Sequence, residues 1–194
     1  MPPNAKIDRQ NILQAAFVLV RENGTDAVTA RNIARKLRCS TQPIFRIYAN
    51  MDALKKELYV YTNKFFEQYL TVQCDEGTAF FNIGFRYIQF AKEEKNLFKM
   101  MFMSGRVQSD NLIELFTSDE NVGIMKTIPD FSKYTDRQIK SLFLKIAFFT
   151  HGIAALVAAN EIEFDSHAVG KLLTDLFHAL IKDINDIKDI NKET

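Results

Sequence analysis

The chain has 194 residues, 47% of them hydrophobic and 25% charged, with a net charge of +1, a composition that supports a sizeable core and excludes a disordered chain. No apolar run approaches the roughly 18 residues of a membrane span, and the opening MPPNAKIDRQ lacks the hydrophobic stretch of a secretory signal, so a cytoplasmic protein with no membrane partner is expected. Cys39 and Cys74 stand apart from one another and fit no cysteine–histidine spacing of a zinc site, and no metal or cofactor is expected.

Almost every segment has a period near 3.6 residues and none alternates like a strand, which predicts an all-α fold of about nine helices. In the first, Ile12, Leu13, Ala16, Phe17 and Val20 share a face and Gly24 is the stop. Thr29 caps a second helix with Ile33, Ala34 and Leu37 inward. From Met51, apolar positions 51, 54, 58, 61, 65 and 69 form one stripe, predicting a helix over 51–71. Further helices are expected over 78–94 (Phe81, Phe85, Ile88, Ala91), 97–103, ended by Gly105, and about 108–118. After Pro129 come 136–160, apolar nearly all round, and 166–187, with a stripe at Val169, Leu172, Leu173, Leu176, Phe177, Leu180, Ile181 and Ile184. The last residues, DIKDINKET, are expected to fray.

Residues 37–48, LRCSTQPIFRIY, hold a proline inside an otherwise helical pattern. With Ser40 as N-cap, Thr41, Gln42 and Pro43 are the first helical residues, whose N–H groups have no partner within the helix, so Pro43 marks a beginning and the Ser40 hydroxyl bonds the Gln42 N–H. Ile44 and Tyr48 then pack inward, leaving Thr41, Gln42, Pro43, Arg46 and Ile47 outside. An amide, a guanidinium and small apolar groups are what read base edges in a major groove. Helix, short turn and helix is the helix-turn-helix layout, whose second helix enters the groove by its N-terminal residues. Charge agrees. Residues 1–60 hold ten Lys/Arg and five Asp/Glu, giving +5, and the remainder carries −4, a basic head suited to a polyanion.

The string VTARNIARKLRCSTQPIFRIYANMDALKKELY resembles the DNA-binding head of the TetR/AcrR family of bacterial transcriptional regulators, over about residues 7–62. Ser40 matches the pattern's serine, Ile44 its leucine, Tyr48 its phenylalanine and Leu54 the leucine opening the linker helix. Three departures stand out. Arg38 replaces the turn glycine, which predicts strain of about 1 kcal/mol if that residue is left-handed; Phe45 replaces a tyrosine that commonly touches a phosphate; and Ile47 replaces a histidine.

The resemblance implies a helix-turn-helix domain over 1–50 and a ligand-binding, dimerising bundle over 51–194, with 51–71 as linker. Thr29 and Lys55 would position the DNA backbone, Ser40 and Phe45 fall at interface positions, and Thr41, Gln42, Pro43 and Arg46 would read bases. FFTHGIAAL, residues 148–156, resembles the His-Gly segment of a Trp-His-Gly type C-terminal domain, although the chain has no tryptophan and Ala147 stands near where one is expected. Phe81, Phe85, Phe98, Met101, Phe102, Phe143 and His151 are candidates to line a pocket for a hydrophobic or cationic effector, or are ordinary core.

A short reading helix makes few contacts, so a homodimer on double-stranded DNA with two half-sites is expected, paired through helices 136–160 and 166–187. The implied function is a ligand-responsive repressor on a palindromic operator; the alternative keeps the head but makes the body a protein-interaction scaffold without an effector. Enzymatic activity is not expected, since no nucleophile stands beside a base at recognisable spacing and no glycine-rich phosphate loop occurs.

Overall fold

The computed structural model describes residues 7–71, 79–104, 119–126, 131–163 and 165–190. Among these no strand occurs, and the chain divides into two compact units, Met1–Tyr69 with Glu93–Gly105, and Leu70–Lys92 with Arg106–Thr194.

The first unit begins with α1 (Arg9–Asn23), opened by a capping box in which the Asp8 carboxylate accepts from the Asn11 N–H at 2.8 Å and the Asn11 side chain accepts from the Asp8 N–H at 3.3 Å. Its buried face carries the five predicted residues together with Ala15 and Leu19. Gly24, at φ +80°, ends it, a conformation open to glycine at little cost. A 3₁₀ turn at Thr25–Ala27 leads to α2 (Ala30–Lys36), with Ile33 and Ala34 buried and the Thr29 hydroxyl capping the Asn32 N–H at 3.2 Å.

Next come α3 (Gln42–Ile47) and α4 (Met51–Thr71), the latter capped by the Asn50 side chain on the Ala53 N–H at 2.9 Å. The most buried line on α4 runs through Leu54, Leu58, Thr62 and Phe66, rotated from the apolar stripe predicted at 61, 65 and 69. Thr62 faces the core because its hydroxyl donates back to the Leu58 carbonyl at 2.9 Å, leaving no unsatisfied polar group. Tyr61 and Phe65 flank that line and receive the Phe17 ring edge-on, at centroid separations of 5.3 and 5.2 Å. The unit closes with α6 (Lys95–Phe98), which continues as a π-helical turn over Lys99–Met103. Phe98 and Met101 are fully buried there, and the Phe102 ring packs on Phe66 and Phe98 at 5.4 and 4.9 Å.

The second unit holds most of α5 (Ala79–Glu93), then α7 (Asp119–Lys126), α8 (Asp136–Ala159) and α9 (Ser166–Ile190). The predicted helix at 108–118, Gly105, Cys74 and Pro129 lie outside the described residues. Over 119–126, where the sequence reading assigns no helix, the structure has α7, whose Val122 joins Phe131, Tyr134, Ile139, Leu142, Ile146 and Ile184 in a core sheathed by Phe143, Leu176, Phe177, Leu180 and Ile181. α8 starts in a capping box between Thr135 and Gln138 and ends at left-handed Asn160. Ion pairs hold its polar positions: Lys140 to Asp119 at 2.7 Å, Lys145 to Asp183 at 3.3 Å, and Asp136 to Lys126.

Three expectations need correction. α8, expected from its apolar sequence to be buried on more than one side, is buried along its inner face, while Phe148, Phe149 and Leu156 stay exposed, as does Leu172 on α9. It is also long and apolar enough to cross a membrane, because scattered cations interrupt any apolar run without offsetting its mean hydropathy. α9 continues to Ile190, past the predicted end at 187 and into the stretch expected to fray.

Candidate nucleic-acid interface

α3 is six residues long, and its sequence explains why it starts where it does. Pro43 occupies its second position, where a missing N–H removes no helical bond. The N-cap is Thr41, one residue beyond the predicted Ser40, and makes no side-chain cap. Its carbonyl instead accepts from both the Ile44 and Phe45 N–H groups, at 3.2 and 3.4 Å, a shared bond that tightens the first turn without a hydroxyl. Ile44 is fully buried and Tyr48 is 2% exposed, so the helix is fixed from beneath. Ser40, Thr41, Gln42, Phe45 and Arg46 are exposed, and Pro43 and Ile47 half-buried. Phe45 keeps half of its surface accessible.

The α2–α3 turn is held by two backbone bonds, Arg38 N–H to Arg35 carbonyl at 3.2 Å and Cys39 N–H to Ala34 carbonyl at 2.9 Å, the paired bonds of a Schellman ending. That ending requires a left-handed residue, and Arg38 supplies it at φ +53°. The strain anticipated at the position usually held by glycine is therefore present.

Behind α3, Arg9 of α1 reaches Glu57 of α4, its Nε 2.8 and 2.9 Å from the two carboxylate oxygens, with its guanidinium carbon 5.0 Å from the centre of the Tyr48 ring. The hydrogen bond from Arg9 holds Glu57 below the usual carboxylate range, and burial pushes the Tyr48 hydroxyl up. Further along α1, Arg21 Nε donates to Glu94 at 2.7 Å, and the Asn96 amide donates to the Arg21 carbonyl at 3.0 Å. Glu94 is 5% exposed, a buried carboxylate whose partner is half in solvent. Neither pairing carries a local sequence signal, since the partners are 48 and 73 residues apart.

Over residues 29–47 the chain has five cations and no carboxylate. Lys36 bonds Glu22 of α1 at 3.1 Å. Arg31, Arg35, Arg38 and Arg46 are exposed and enter no ion pair among the described residues. Of these only Arg46 was selected by pattern; the run without acid was the signal for the rest. Lys55 is half-buried on α4.

The predicted pocket residues do not gather into one unit. Phe98, Met101 and Phe102 belong to the unit containing α1–α4, whereas Phe85, Phe143 and His151 belong to the other; the Phe81 side chain is outside the described residues. In the second unit, Tyr87 Oη lies 2.9 Å from His151 Nδ1 and desolvation lowers the His151 pKa. The neighbouring Thr150 Oγ1 is buried without a hydrogen-bond partner among the described residues.

Two solved structures match this architecture over most of their length. One is a TetR-like transcriptional regulator from Rhodococcus sp. RHA1, 20% identical, with a TM-score of 0.58 over 89% of this chain and 96% of that one. The other is a single-substitution variant of TetR from Acinetobacter baumannii AYE in complex with minocycline, 14% identical, with a TM-score of 0.57 over 94% and 98%. The chain has the TetR-like fold. No protein-family model and no curated protein matches the sequence, so the TetR-like likeness rests on the arrangement of helices. Within the TetR-like fold, α2 and α3 form the helix-turn-helix expected from VTARNIARKLRCSTQPIFRIY.

Proposed function

We propose that the protein is a DNA-binding transcriptional regulator that acts as a homodimer on a palindromic operator. The observation that carries this reading is the division of α3: its Ile44 and the following Tyr48 are sealed in the core, while Thr41, Gln42, Phe45 and Arg46 project from a helix too short to need them for folding. Gln42 and Arg46 would read base edges, with Thr41 and Pro43 offering small surfaces to thymine methyls. Thr29 and Lys55, with Ser40 and Phe45 beside them, would meet the backbone. Thr29's hydroxyl oxygen already accepts from Asn32 and keeps its own proton to donate.

The other unit supports the twofold. Phe148, Phe149, Gly152 and Leu156 lie at helical spacing on the exposed side of α8, and Leu172 is exposed on α9. Paired with a second copy as a four-helix bundle, they would leave water and set two heads at a fixed separation.

The bundle over 51–194 is read as the effector-binding part, responding to a hydrophobic or cationic compound. Support comes from the minocycline complex of the second structural neighbour, from the Tyr87–His151 pair, and from the Thr150 hydroxyl, next in sequence to His151, which is buried with no hydrogen-bond partner among the described residues. A ligand that prefers the head spacing unsuited to the operator would release DNA through differential affinity alone. Recovery of bound duplexes from a random pool, repeated with candidate compounds, tests the proposal. A palindrome lost on adding a compound supports it; recovery of no duplex sinks it.

A further inference from the structure

Arg38 is the one non-glycine residue of the first unit in the left-handed region among the described residues. Glycine adopts that backbone without cost and asparagine with little, whereas a long side chain there is strained. Strained residues persist where the surroundings hold them and cluster at functional positions. Here the Arg35 and Ala34 carbonyls fix the turn, so the Arg38 side chain departs from a rigid point. Favourable charge at the C-terminal end of α2 does not require it, because Arg35 and Lys36 already occupy the last turn. Its guanidinium is exposed and, among the described residues, unpaired, in a run of residues without a carboxylate.

We propose that Arg38 is a DNA-positioning residue that contacts a backbone phosphate at the edge of the groove entered by α3. The assignment rests on the DNA-binding reading above. When the second helix of a helix-turn-helix enters a major groove by its N-terminus, the preceding turn comes to the groove wall, which is lined with phosphates. A guanidinium anchored there neutralises one phosphate and fixes how α3 sits, without reading sequence. The strain is then a consequence of placing a cation where the fold would accept glycine.

The test compares wild type with Arg38→Gly, Arg38→Asn and Arg38→Lys, measuring affinity for the recovered operator and for an unrelated duplex across a salt series, together with thermal midpoints. Arg38→Gly and Arg38→Asn are expected to fold with midpoints equal to or above wild type. They should bind both duplexes roughly threefold or more weakly at low salt and flatten the log-affinity against log-salt slope by about 0.9. Arg38→Lys should keep the wild-type slope. A wild-type slope and affinity in Arg38→Gly and Arg38→Asn would overturn the phosphate contact while leaving the DNA-binding reading intact. A loss confined to the operator would overturn it in favour of base reading. Absence of any duplex binding by the wild-type chain at low salt would instead sink the reading on which it rests.

Discussion

Arg9 Nε lies 2.8 and 2.9 Å from the two carboxylate oxygens of Glu57, joining the first turn of α1 to α4 alongside the Tyr48 ring. The pairing depresses the Glu57 pKa below its ordinary value of 4.5. A carboxylate whose folded pKa is depressed contributes stability above its unfolded pKa and loses it as pH falls through the folded value. The Arg9 side chain is 61% exposed and that of Glu57 28%, so solvent screens the pair and the contribution is small. Denaturation midpoints should place Glu57→Gln slightly below wild type at pH 7, with the gap closing at pH 3. A gap constant across that range would mean that the effect is packing.

Arg21 and Glu94 differ in kind, because Glu94 is almost wholly enclosed. Arg21→Ala leaves a buried carboxylate without its partner, at a cost of about 1–3 kcal/mol after allowing for the half-exposed guanidinium. Glu94→Gln should cost less, since an amide is cheaper to bury. Urea unfolding of both variants gives the order, and equal losses would show that Glu94 is solvated in the native state.

His151 titrates in the opposite direction from an ion-paired histidine. Burial lowers its pKa below the ordinary 6.5, so as pH falls below that value the unfolded chain takes up a proton that the folded chain resists, and stability declines. His151→Gln should flatten the fall in thermal midpoint between pH 7.5 and 5.5. An unchanged slope would mean that protonated His151 is accommodated beside Tyr87.

The exposed apolar residues of α8 and α9 make a prediction about assembly. Leu172→Lys places a charge on a surface that would be desolvated in a dimer, while Leu172 is 49% exposed in the isolated chain. Sedimentation should find wild type as a dimer and the variant as a folded monomer at micromolar concentration, with weaker operator binding because a single head remains. A monomeric wild type would remove the twofold from the account.

Arg46→Ala should relax preference at one base step and cost roughly 1–3 kcal/mol on the recovered sequence, measured by titration against single-base variants. Equal loss on every duplex would make Arg46 a backbone contact.

How far the sequence carried these conclusions can be seen residue by residue. Pro43, Ile44 and Tyr48 were legible because each obeys a local rule, and Arg38 announced its strain by replacing a glycine. Ser40 was misplaced as cap because Ser and Thr stand side by side and pattern alone does not choose between them. α7 was missed because it is eight residues long with a glycine in its interior, too short for its period to emerge. Thr62 broke the predicted stripe because its backbone hydrogen bond hides its polarity. Glu94 and Glu57 were invisible as partners because distant ion pairs leave no trace in periodicity. The all-α fold class depends on periodicity, which is local, and was therefore readable; the grouping of Phe98, Met101 and Phe102 with the first unit depends on tertiary packing and was not.

The most direct measurement is hydrogen–deuterium exchange of the full chain with and without the recovered duplex. The account predicts duplex-dependent protection in peptides covering Thr29–Arg31 and Ser40–Ile47, with α8 and α9 unchanged. Protection confined to the second unit, or no change around α3 at a saturating duplex concentration, would contradict it.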